Sequence, residues 1–159
     1  MAIADIRTAV AALLETVSGM GVVNDLDPFG NEPEHFEEHF VEPTTGRING
    51  WSIGIREADP DQFLGAMDRR YEVRLRGIIG VEDSRRSRAD AEAAPQAVLN
   101  IFAIVAANRR LPSSGTATVD WTENFRTAAK ERMVRTGEGE ALCDEITVTF
   151  TAVKQEALT

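Results

Sequence analysis

The chain has 159 residues, 43% of them hydrophobic and 27% charged, and a formal net charge of −9. That length suits one domain with a real core and an ordinary globular composition, while the negative charge argues against a general nucleic-acid binder, which needs a basic footprint to release counterions. No apolar run is long enough to cross a bilayer, and the single Cys143 excludes an intramolecular disulfide and fits a reducing compartment.

Met1–Asp5 lacks a basic region followed by an apolar core, so no signal peptide is expected. Residues 3–18 predict an amphipathic helix, with Ile3, Ile6, Val10, Leu13, Leu14 and Val17 recurring at spacings of three and four. Gly19 and Gly21 end it, and Val22-Val23 reads as a short strand. A loop with Pro28 and Gly30 follows, then a short helix over about 34–41 that opens at Pro33 and presents Phe36 and Phe40 one turn apart.

Arg47–Glu57 is the segment on which the rest depends, because the helices need a sheet to pack against. Trp51, Ile53 and Ile55 fall on one face of the predicted strand, and Ser52, Gly54 and Arg56 on the other. A second strand over 70–75 alternates in the same way, Tyr71, Val73 and Leu75 against Arg70, Glu72 and Arg74, and continues to Val81. The two are expected to pair antiparallel. Ala58–Asp68 between them is too long for a tight hairpin and reads as a projecting loop. Its Phe63, Leu64 and Met67 either contact a partner or fold back on the core.

Residues 84–109 predict a second long helix carrying Ala94, Val98, Ile101, Phe102 and Val105. Pro95 implies a kink or a start near Ala94. Leu111–Gly115 breaks it. The last third reads as β: a strand at Thr116–Trp121, another at Glu131–Thr136, a turn at Gly137–Gly139, and a strong strand at Leu142–Val153. In that last strand Ile146, Val148, Phe150 and Ala152 face one way, and Thr147, Thr149 and Thr151 the other. Lys154–Thr159 is expected to fray. The resulting expectation is a single α+β domain over 1–159: a mixed, mainly antiparallel sheet with two long helices packed on one face.

Charge is unevenly placed. Asp25–Glu42 holds seven acids and no Lys or Arg, whereas Arg69–Arg88 holds seven Arg against three acids. These are either two solvated surfaces or complementary patches that meet between subunits.

The one motif that suggests catalysis is His35-Phe36-Glu37-Glu38-His39, which matches the H-x-x-E-H pattern of inverted metalloproteases. Two His at i and i+4 share a helix face and could converge on zinc, yet a third ligand and a cleft are not evident, and the plainer reading is a polar surface helix. Gly19-Met20-Gly21 lacks the Lys-Ser/Thr ending of a phosphate loop. Carboxylate pairs such as Asp144/Glu145 are plentiful in an acidic chain. No cofactor, metal or catalytic residue is expected, which favours a binding or structural role.

The order of features along the chain resembles the tail terminator (tail-completion) proteins of long-tailed bacteriophages and prophages. The features are a helix ending in Gly19-Met20-Gly21-Val22-Val23, an aromatic loop with Phe36 and Phe40, and a Gly-Trp strand at Gly46–Ile53. Tyr71–Gly77, an acidic-Ser turn at Glu82–Ser84, a long helix and a closing Leu142–Val148 strand complete the order. The resemblance implies no enzyme. It implies a small α+β subunit that forms a hexameric ring on the end of the tail tube, stops tube growth and docks to the head–tail connector. Its partners would be other copies of itself, the tail tube protein and the connector protein, with DNA passing through without specific binding and no membrane. It would be made in the host cytoplasm and end in the virion. Glu37, Glu38, Phe63, Leu64, Arg70, Arg74 and Arg76 are the candidate subunit or partner contacts. Another connector or tail-tube subunit is the nearest alternative, and a small hydrolase using His35 and His39 an alternative of another class.

Overall fold

The computed structural model describes residues 3–17, 20–24, 40–42, 47–58, 61–63, 66–80, 88–113, 116–117, 119–136 and 139–157. The predicted helix at 34–41 and its H-x-x-E-H motif lie outside the described residues, apart from Phe40 and Val41.

Helix α1 (Ile3–Glu15) buries Ile6, Ala9, Val10 and Leu14, the stripe that its 3.6-residue period selects. The chain then passes Gly21, where an added Cβ would lie 1.9 Å from the Asn49 carbonyl oxygen, so only glycine admits this approach. Strand β1 (Val22–Asn24) follows and lies parallel to β2 (Asn49–Glu57), with Asn24 opposite Ser52. The Asn24 side-chain amide donates to the Trp51 carbonyl at 3.0 Å.

Strand β2 pairs antiparallel with β4 (Ala66–Gly80) from Asn49↔Ile79 to Glu57↔Tyr71. Trp51, Ile53, Tyr71, Val73 and Leu75 are buried on one face, as the alternation requires. Ser52 on the other face is also buried. The segment read as a projecting loop is largely strand. β3 (Asp61–Phe63) folds back on the start of β4, with Phe63 opposite Ala66, and prolongs the sheet.

Helix α2 (Arg88–Ala107) runs through Pro95 rather than starting at it. It buries Ala97, Ile101 and Val105. Leu111 then turns the chain with a positive φ of 44° and is itself fully buried. A two-residue ladder joins β5 (Pro112–Ser113) to β6 (Thr116–Ala117). Of the strand expected at 116–121, Thr116 and Ala117 lie in that ladder, residue 118 is outside the described residues, and the chain bends at Val119 and Asp120. Trp121 instead opens β7 (Trp121–Thr136), which runs without a break through residues 122–130 and pairs along its length with β8 (Gly139–Ala157). The end of β8 does not fray within the described residues: Lys154–Ala157 pair with Arg69–Ala66.

The sheet order is β1-β2-β4-β8-β7, with β3 attached to β4, and among the described residues only the β1–β2 pair is parallel. The expected fold class is corrected by this architecture. Among the described residues strand (60%) far outweighs helix (27%), and the helices are short beside the sheet. Thirteen and twenty residues of helix span about 20 and 30 Å, while the 19 residues of β8 span about 60 Å. This is a sheet with helical cover over part of one face, not a layer of two long helices upon a sheet. The main core lies under that cover, where Ile6, Leu14 and Ile101 meet Trp51, Val148 and Phe150.

Candidate functional site

The face turned away from the helices is read directly from the register. Ser52, Arg76, Thr147 and Ala128 form one cross-strand row, and Gly54, Arg74, Thr149 and Arg126 the next. One end of this face is closed by a small second core in which Phe40 packs with Ile78, Val134 and Cys143. Toward the other end, Arg70 is held by Glu123 and, at 3.8 Å, by Asp68. The Trp121 indole N–H donates to the same Glu123 at 3.1 Å.

Between these ends lies a polar hollow of about 260 Å3, lined by Ser52, Gly54, Arg74, Arg76, Arg132 and Glu145. It exists because β2 contributes only a hydroxymethyl and a hydrogen there, while β4 and β7 contribute three long cations. Glu145 has only 9% of its side chain exposed and organises the floor. It accepts from Arg132 at 2.7 Å and lies 3.5 Å from Arg76 and 3.9 Å from Lys130. Burial alone would raise its pKa; the hydrogen bond from Arg132 and the charges of Arg76, Arg132 and Lys130 outweigh burial and hold it below its ordinary value of 4.5. Arg74 is exposed and has no carboxylate partner among the described residues. Three arginines against one glutamate leave two net positive charges in a hollow of a chain whose total charge is −9.

A second hollow of about 300 Å3 lies between α2 and the start of β7, lined by Phe102, Val105, Arg109, Thr122 and Phe125 among others. Asn124 beside it has a φ of 55°, where the ladder slips between Glu123 and Arg126, as a β-bulge requires. Phe102 is half-exposed and meets Phe125 edge to face at 4.6 Å. It lies on the rim of this groove rather than in the core stripe expected of it, which Ala97, Ile101 and Val105 form.

Of the candidate contact residues, Arg74 and Arg76 come together in the cationic hollow and Arg70 is engaged by Glu123 and Asp68. Phe63 lies in β3 and pairs through its backbone with Ala66; Glu37, Glu38 and Leu64 lie outside the described residues. The basic stretch is not one free patch: Arg69 sits 3.3 Å from Glu57 and 3.2 Å from Glu156. Arg132 and Glu145 were missed. The usable signal was the polar row of β8, in which Glu145 precedes Thr147, Thr149 and Thr151 at a spacing of two.

Cys143 is fully buried in the second core. Burial first, then the charge of Asp144, push its thiol up to about 11, with Arg132 opposing. At pH 8 about one thiol in a thousand is then ionised. A thiol–disulfide exchange reagent is expected to titrate no cysteine in the native protein within minutes and one per chain in denaturant. Stoichiometric native labelling would show that the Phe40 end of the sheet opens readily.

No protein-family model matches the chain, and a comparison with curated proteins finds no match.

Proposed function

We propose that this chain is a structural assembly protein, a tail terminator that forms a ring on the end of a phage tail tube, ends its polymerisation and docks it to the head–tail connector. The resemblance set out above suggests this role. Its features occupy successive elements of one sheet: α1 leads into β1, the Gly-Trp segment is β2, the Tyr71 segment is β4, and Leu142–Val148 lies in β8. The observation that carries the reading is the surface left for assembly. The sheet face opposite the helices holds a cationic hollow, and β7 is a 16-residue strand at the edge of the sheet, with one side unpaired among the described residues. A heterologous ring uses two different patches of one subunit at each contact, and such a face and edge are available on each copy.

The test is direct. Native mass spectrometry over a concentration series, with negative-stain imaging of the same samples, should show a closed ring of about six copies. Purified unfinished tail tubes should acquire one ring at the growing end and stop elongating. Tubes that elongate unchanged in its presence would reject the terminator role. Finding the protein along the whole tube, or at the head side without the tube, would point to a tail-tube or connector subunit instead.

A further inference from the structure

The hollow on the open face contains more positive charge than the described residues neutralise. Glu145 is shared by Arg76, Arg132 and Lys130, and Arg74 stands beside them without an acid among the described residues. Arg126 adds a further exposed cation two positions along the same cross-strand row as Arg74. Guanidinium groups in this setting bind carboxylates through paired, charge-assisted hydrogen bonds. The absent side chain of Gly54 leaves the approach open, since the nearest atom to a Cβ built there is the Arg74 carbonyl oxygen at 3.8 Å. The other half of a charge-complementary pair is in the same sequence: Asp25–Glu42 carries seven acids and no Lys or Arg.

We propose that the hollow bounded by Arg74, Arg76 and Arg132 is a carboxylate-binding site that takes acidic side chains of a second copy of this chain, from its Asp25–Glu42 stretch. This deepens the assembly reading and rests on it for the identity of the partner; the chemistry rests on the charges alone. It also narrows the expected contact. Arg69 and Arg70 are engaged within the subunit, whereas Arg74 meets no acid among the described residues and β7 adds Arg132. Glu145 acts as the positioning residue that fixes the Arg76 and Arg132 guanidinium groups for an incoming acid.

Charge exchange between copies tests this. Arg74→Glu alters an exposed residue with no ion pair among the described residues and leaves Glu145 satisfied, so the variant should fold, as circular dichroism would verify. Its half-assembly concentration should rise at least about tenfold, and Glu37→Lys/Glu38→Lys should do the same. Mixing the two variants should restore assembly, because in a ring of alternating copies each altered hollow meets an altered acidic stretch and each native hollow a native one. Three outcomes would overturn the inference. Arg74→Glu could assemble at the wild-type concentration, or the wild-type chain could form no assembly at any concentration. Rescue could also appear only when both changes share one chain, which would assign the acids to the same subunit. The terminator reading fails separately, if wild-type rings form and lose assembly on Arg74→Glu but do not cap tail tubes.

Discussion

Trp51→Ala is expected to cost about 3–5 kcal/mol, a large part of the about 5–15 kcal/mol that holds a domain of this kind together. Trp51 is fully buried and sits opposite Gly77 in the β2–β4 ladder. Its ring occupies the space that any other residue at 77 would fill, for a Cβ there would lie 2.6 Å from Trp51 Cη2 and Cζ2. Gly77→Ala should therefore destabilise by about 1–3 kcal/mol through overpacking. In the Trp51→Ala background the same methyl enters the vacated space, and its cost should shrink by at least about 1 kcal/mol, a coupling typical of residues in contact. The indole Nε1 is buried without an acceptor among the described residues, so Trp51→Phe gives up no hydrogen bond and should cost less than Trp51→Ala. Urea denaturation of the two single variants and the double variant measures the cycle. Additive losses would mean that Gly77 is kept for a reason other than room for the ring.

The elements legible in the sequence were those whose pattern and environment agree. In β4, Tyr71, Val73 and Leu75 alternate with charges because one face is core and the other is not; the same holds for Ile146–Ala152 in β8. Residues 122–130 of β7 gave no such signal. Glu123, Asn124, Lys130 and the Ala128-Ala129 pair have low β-propensity, and an edge strand needs little apolar surface because its neighbour supplies the pairing. Charges along an edge also discourage unwanted pairing, so the residues that hide the strand are those an edge strand uses. With residues 122–130 of β7 unread, strand content was underweighted. The strand at Glu131–Thr136, the turn at Gly137–Gly139 and the strand from Leu142 already carry the hairpin that brings Arg132 to Glu145, thirteen positions on. Charges on a two-stranded hairpin, however, do not by themselves mark a hollow that needs Ser52 and Gly54 of β2 to form. Arg74 and Arg76 were legible because their own strand announces which face they occupy.

Glu145→Ala should produce the second large effect, and its pH dependence separates charge from packing. Removing this carboxylate leaves Arg76, Arg132 and Lys130 facing one another over a floor that water reaches only in part. Breaking a fully buried pair costs about 3–5 kcal/mol. Here the arginine side chains are 25% and 36% exposed, so solvent screening reduces the expected loss to about 1–3 kcal/mol at pH 7. The folded-state pKa of Glu145 is depressed. Its ion-pair contribution is therefore complete above the ordinary value of 4.5 and is lost as pH falls from there through the lower folded value. Wild-type stability should fall across that acid window more steeply than that of Glu145→Gln, which keeps the shape and a hydrogen-bond acceptor but has no proton to bind. At pH 7 Glu145→Gln should be the less stable protein, and the two should converge as pH falls through the lowered folded value of Glu145. Parallel curves would mean that the carboxylate contributes shape alone, and that the arginines around it are held by the sheet rather than by Glu145.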